Sequence, residues 1–160
     1  MKIRDVKTKE VASCGPETNL AQAVELMWKS ACGFLPVAGE GGNVIGVITD
    51  RDISIALGTR DSRASEICVR SVMSSRLFTC TPDDDVHTAL KTLKSEGIRR
   101  LPVIDGDGML MGVLSIDDVV LNARVDALRK DISFEDVEIR TGQSSCTHPW
   151  TRTRNIELPE

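Results

Sequence analysis

The chain has 160 residues, 41% of them hydrophobic, 28% charged and 3% aromatic, with a formal net charge of -4. That length bounds one compact domain or two small ones, able to bury about 70% of the surface an unfolded chain exposes. The acidic balance offers no electrostatic reason to expect nucleic acid or an anionic membrane as partner, aromatic stacking platforms for single strands are scarce, and no apolar run approaches the ~20 residues of a membrane span.

The opening MKIRDVKTKE has no apolar signal-peptide core, which makes the cytoplasm the expected location. Residues 11–14 (VASC) read as a short strand closed by Pro16. Asn19 is a candidate N-cap, and Leu20, Ala23, Val24, Met27 and Ala31 follow at the spacing of an amphipathic helix. FLPVA and NVIGVI flank the turn GEGG and predict a hairpin, after which Thr49 opens a second helix over DRDISIAL. Residues 58–71 are polar apart from Ile67 and Cys68 and read as a linker.

The same order then returns. LFTC precedes Pro82, Asp85 caps a helix striped with Val86, Ala89, Leu90 and Leu93, and Gly97 ends it. The acidic run Asp83-Asp84-Asp85 suits the positive end of that helix's dipole. LPVI and MLMGVL flank DGDG, and Ser115 opens a helix over IDDVVLNARVDALRK. The chain repeats itself: residues 3–53 align without a gap on 69–119, each position n matching n + 66. Arg4 falls on Arg70, Cys14 on Cys80, Leu35-Pro36-Val37 on Leu101-Pro102-Val103, Gly46 on Gly112 and Asp52 on Asp118.

The expected organisation is a first repeat over 1–60, a linker and lead-in segment over 61–76, a second repeat over 77–130 and a tail over 131–160, extended or partly disordered. Each repeat reads β-α-β-β-α, an α+β (α/β) fold class. Helices on one face of a small sheet leave the other face in need of cover, which the second copy supplies.

Both copies carry G-h-h-[ST]-x-x-D where the hairpin meets the second helix, as Gly46 to Thr49 and Asp52, and Gly112 to Ser115 and Asp118. A hydroxyl, free backbone N–H groups and the positive dipole end can hold a phosphate there, and an Asp one turn on can accept from two ribose hydroxyls. The same spacing is an ordinary capping box, so the motif alone leaves both readings open.

The paired pattern of LPV, Gly-rich hairpin, G-h-h-[ST]-x-x-D and following helix resembles a tandem of cystathionine-β-synthase (CBS) domains, or Bateman module, over about residues 1–130. The resemblance implies two CBS repeats packed pseudo-symmetrically through their sheets, with regulatory adenosyl ligands in the clefts between them: AMP, ADP, ATP, S-adenosylmethionine or NAD. It also implies a homodimer forming a four-repeat disk and an effector protein not yet identified.

By that resemblance Thr49 with Asp52 and Ser115 with Asp118 take phosphate and ribose, the backbone at Ser13-Cys14 and Thr79-Cys80 reads the adenine, and Leu35-Pro36 and Leu101-Pro102 form apolar walls. Arg99 and Arg100 stand where the first copy has Gly33 and Phe34, so they either reach ligand phosphates in one cleft or lie on a solvated strand edge. Arg51 is a further phosphate candidate or the partner of a nearby Asp.

Five cysteines (Cys14, Cys32, Cys68, Cys80, Cys146) with no close pair suit free thiols in a reducing compartment, and Cys14 and Cys80 read as small buried residues. His87 reads as solvated on its helix; Cys146 and His148 alone do not make a metal site, and Trp150 reads as a docking residue. With no nucleophile elbow, Walker loop, HExxH motif or triad, no catalytic residues and no enzyme activity are expected. Two other readings stay open: a ligand-free dimerisation or interaction module, and a thiol-dependent redox or nucleotide-processing enzyme on Cys14 or Cys80.

Overall fold

The computed structural model describes residues 1–126; the expected tail, with Cys146, His148 and Trp150, lies outside the described residues. The helices are α1 (Ile3–Val6), α2 (Leu20–Lys29), α3 (Asp50–Thr59), α4 (Val86–Glu96) and α5 (Ile116–Asp126), and the strands are β1 (Phe34–Ala38), β2 (Val44–Thr49), β3 (Arg100–Ile104) and β4 (Leu110–Ser115). Short 3-10 turns cover Ala64–Glu66 and Val69–Ser71. Among the described residues no helix is long and apolar enough to cross a membrane.

Both hairpins form as the apolar runs flanking their Gly-rich turns predict. β1 pairs antiparallel with β2 and β3 with β4 in matching register, Phe34 opposite Thr49 and Arg100 opposite Ser115. Their Gly-rich turns place Gly42 and Gly108 at φ of 81° and 80°, where a side chain would be strained. The caps hold as well: Asn19 accepts from the Gln22 N–H at 2.9 Å and Asp85 from the His87 N–H at 2.9 Å.

Two expectations are corrected. VASC and LFTC do not form strands; each makes a single parallel bridge, Cys14 to Val37 and Cys80 to Val103. Cys14 donates to the Pro36 carbonyl at 3.1 Å and accepts from Ala38 N–H at 2.9 Å. A longer ladder would need N–H groups from Pro36 toward Ala12 and from Pro16 toward Ala38, and proline has none. Pro102 and Pro82 stop the second ladder in the same way.

The stripe of α2 is also narrower than predicted. Leu20, Ala23 and Met27 are buried, but Val24 is 44% exposed, and the helix stops at Lys29 with Ala31 beyond it at φ 48°.

Two cores result. The first gathers Leu20, Ala23, Met27, Leu35, Val37, Ile48, Ile53 and Ala56, and the second Val86, Ala89, Leu93, Leu101, Val103, Leu114 and Val119. Each is completed by the segment that precedes the other copy. Ile3 and Val6 are buried in the second core, and Ile67 and Val69 in the first.

Backbone pairing fixes this exchange. Thr8 and Val113 trade N–H···O bonds of 3.0 and 3.2 Å, and Val47 and Ser74 trade bonds of 3.0 and 2.9 Å. The hairpin tips also meet, Val44 N–H donating to the Gly108 carbonyl at 3.0 Å.

The exchange explains why the G-h-h-[ST] motif begins with glycine. A Cβ on Gly46 would stand 2.7 Å from the Ser74 carbonyl oxygen, and one on Gly112, whose φ is 150°, would collide with the Thr8 carbonyl oxygen. The glycines let the exchanged segments lie against β2 and β4.

Candidate functional site

A cavity of about 150 Å³ opens where the two copies and the N-terminal segment meet. From the second copy come Arg100, Val113, Ser115 and Asp118; from the first come Ser30, Cys32 and Phe34. The stretch between α1 and α2 adds Thr8, Glu10, Val11 and Ala12. Small-molecule sites usually run from about 300 Å³ upward, so a nucleotide here would leave part of itself in solvent.

The helix start of α5 is held tightly. Asp118 Oδ2 accepts from the Ser115 backbone N–H at 3.0 Å and from Ser115 Oγ at 2.7 Å, while Ser115 Oγ accepts from the Asp118 N–H at 3.0 Å. Thr8 Oγ1 donates to Asp118 Oδ1 at 3.3 Å. Thr49 and Asp52 repeat the box at α3: Asp52 Oδ2 accepts from Thr49 N–H at 2.9 Å and Oγ1 at 2.7 Å, and the Asp52 N–H donates to Thr49 Oγ1 at 3.2 Å. Both boxes therefore work as helix caps.

Of the two arginines ahead of LPV, Arg100 lines the cavity, half-buried beside Ser115, and its guanidinium has no ion pair or hydrogen-bond partner among the described residues. Arg99 is exposed and is not part of the lining. Arg51 is exposed on the first turn of α3. At the first copy's Gly33 a Cβ would meet Asp50 Oδ2 at 2.5 Å, a contact that the exposed Asp50 side chain can relieve by turning away.

Leu35 and Leu101 are fully buried inside the two cores, and Pro36 and Pro102 are buried beside them. Cys14 and Cys80 are buried too, and both their backbone groups are bonded to β1 and β3. The flanking Ser13 is exposed and Thr79 half-buried, and among the described residues neither bonds its backbone to those strands.

Burial pushes the Cys14 thiol up to about 11, and burial with the nearby Asp84 charge pushes Cys80 up to about 12. Both stay protonated and unreactive at neutral pH. His87 is half-buried, not solvated as its helix position suggested.

The lining residues Thr8, Glu10, Val11, Ala12, Ser30, Cys32, Phe34 and Val113 were not among those expected from the sequence. One signal was present: the repeat begins at residue 3, well before its first predicted strand, so the N-terminal segment already belonged to the repeating unit.

A family model for the CBS domain matches residues 3–58 and 69–123. The CBS domain-containing protein YhcV of Bacillus subtilis is 32% identical over 120 residues, which are 75% of this chain and 84% of YhcV. Protein MK0525 of Methanopyrus kandleri is 28% identical over 118 residues, and homoserine O-acetyltransferase of Methanococcoides burtonii 31% over 117. These matches cover 74% and 73% of this chain but only 60% and 23% of those two proteins.

Among solved structures, the CBS domain pair of protein MJ0100 in complex with 5′-methylthioadenosine and S-adenosyl-L-methionine superposes with a TM-score of 0.70 at 21% identity, covering 81% of this chain and 98% of that one. CBSX2 in complex with AMP gives 0.67 at 24% identity, covering 79% and 98%.

Proposed function

Because the chain belongs to the CBS-domain family, as a tandem pair of its repeats, we propose that it is a regulatory module that binds an adenosyl compound between the copies and signals through conformation or partner binding. The observation that carries this reading is the cavity bounded by Ser115, Asp118 and Arg100, whose guanidinium has no partner among the described residues, with both copies contributing walls. Structures of the same fold were solved with AMP, 5′-methylthioadenosine and S-adenosyl-L-methionine, which supports an adenosyl ligand as a class.

The roles follow from chemistry. Asp118 accepts from ribose hydroxyls, exchanging its bond from Thr8, and Arg100 pairs with a phosphate through its fork of donors; Ser13 and Thr79 lie outside the cavity lining, so a base edge would meet their backbone only where the ligand extends beyond it. Arg51 and Arg99 are both exposed and neither lines the cavity, so neither is assigned a contact there. Thr49 and Asp52 hold the equivalent place at α3. To signal, the ligand must bind two conformations with different affinity, since tight binding to both moves nothing.

A second copy of the chain is the partner this surface suits. Ile55 on α3 and Leu121 on α5 match at the repeat offset and are 52% and 62% exposed, which supports a homodimer joined through those helices. Native mass spectrometry reads subunit number and retained ligand together, and a bare monomer mass would remove the dimer.

The reading is tested by thermal shift and calorimetry with AMP, ADP, ATP, NAD and S-adenosylmethionine. At least one should raise the melting midpoint, because a ligand selective for the native state stabilises it by mass action. Asp118→Ala should weaken that ligand by about 1–3 kcal/mol, the range for losing a charged hydrogen-bond partner. Normal affinity in a folded Asp118→Ala protein would take Asp118 out of the site.

The alternative, a ligand-free interaction module, is favoured by one observation: both Ser/Thr-Asp pairs already satisfy each other as caps. Absence of any shift at millimolar concentration with all five compounds would decide for it.

A further inference from the structure

The two clefts are related by the segment exchange but are not built alike. At the second cleft the wall carries short side chains, Ala12 and Ser30, with Glu10 beside them, and the cavity opens there. The counterparts 66 residues on are Phe78 for Ala12, Glu96 for Ser30 and Arg76 for Glu10. Pairing of Ser74 with Val47 mirrors that of Thr8 with Val113, so Arg76 and Phe78 lead away from β2 as Glu10 and Ala12 lead away from β4.

These three replacements interlock. Arg76 Nη2 lies 2.8 Å from Glu96 Oε2, and the guanidinium stands 4.9 Å from the centre of the Phe78 ring. Phe78 is half-buried and packs on the second core, so the ring is anchored. The Arg76 side chain is 77% exposed, so its ion pair alone is a weak fastening. The ring supplies the bulk, and the cation laid on its face adds a contact that an isolated surface arginine lacks.

We infer that the first cleft is closed by its own side chains, Phe78 filled in under Arg76 and Glu96, so that each chain takes one adenosyl ligand and takes it in the second cleft. The inference rests on the adenosyl reading above and adds stoichiometry and position to it. An incoming phosphate at the first cleft would have to displace a guanidinium already held by a carboxylate, and an incoming base would have to displace a ring. The second cleft asks for neither displacement.

Calorimetry with AMP on the full chain should give one mole bound per mole of chain. Hydrogen exchange with AMP present should slow in peptides spanning 110–118 and stay unchanged in those spanning 44–52. Ala12→Phe, which copies the closure into the second cleft, should weaken AMP at least tenfold. Arg76→Glu with Phe78→Ala and Glu96→Ser should raise the stoichiometry to two; if that variant fails to fold, the exchange pattern of the native chain decides alone.

Two moles bound to the native chain, or protection in both peptides, would overturn the closure while leaving the adenosyl reading intact. No binding of AMP, ADP, ATP, NAD or S-adenosylmethionine would overturn both.

Discussion

Ala31 holds a left-handed backbone, φ 48°, at the position where the second copy has Gly97 at φ 66°. Both residues follow a helix end, and both are closed by a bond from the next N–H back to the last turn, Cys32 to Met27 at 3.0 Å and Ile98 to Leu93 at 3.1 Å. A Cβ in that conformation costs roughly 1–2 kcal/mol, of which about 0.4–1 is recovered because alanine has less freedom than glycine in the unfolded chain. Ala31→Gly should therefore stabilise the protein by about 0.5–1 kcal/mol, read as a higher urea midpoint at unchanged m-value. A lower midpoint would show that the strain is absent. Gly97 was legible as a stop and Ala31 was not, because glycine advertises a left-handed turn while alanine favours continuing the helix. The caps Asn19, Thr49, Asp85 and Ser115 were legible for the converse reason: capping is settled within three residues.

The elements divide by how local their cause is. The hairpins and helices follow from periodicity and turn chemistry that lie within each segment. VASC and LFTC have the composition of strands, yet their pairing is decided by proline in β1 and β3, in another part of the chain. Gly46 and Gly112 make the same point from the other side, for their neighbours are Ser74 and Thr8, far away in sequence. Gly112→Ala combines a backbone conformation unfavourable for a side chain with contact against a fixed carbonyl, and should cost roughly 2–4 kcal/mol in stability. Denaturant unfolding of the variant checks this, and a loss under ~0.5 kcal/mol would mean that the N-terminal segment is not held against β4. The companion change Gly46→Ala, without the positive φ, should cost less.

At the scale of the whole molecule, neither copy is complete alone. Ile3 is fully buried in the second core, although it belongs in sequence to the first copy, and Val69 is fully buried in the first. Ile3→Ala should cost about 2–5 kcal/mol, as deletions from closed cores do. Its effect should appear across the exchange: hydrogen exchange should quicken first in α4, β3 and β4, and later in α2 and β1. Quickening confined to α2 and β1 would refute the exchanged arrangement. The same exchange makes the cavity, because it carries Thr8, Glu10, Val11 and Ala12 from β4 across to the first copy and sets them opposite Ser115 and Asp118.

The duplication, the order of hairpins and longer helices in each copy, the helix caps and the hydroxyl-to-Asp motifs are legible in the sequence alone, since each rests on contacts within a few residues or on direct self-comparison. That the segments before the copies change places, that Arg100 and not Arg99 lines the cavity, and that Leu35 and Leu101 are fully buried in the cores became visible once the chain was folded. Side-chain direction and long-range pairing depend on which backbone lies alongside which, and that is fixed by burying two apolar cores at once rather than by any local run of residues.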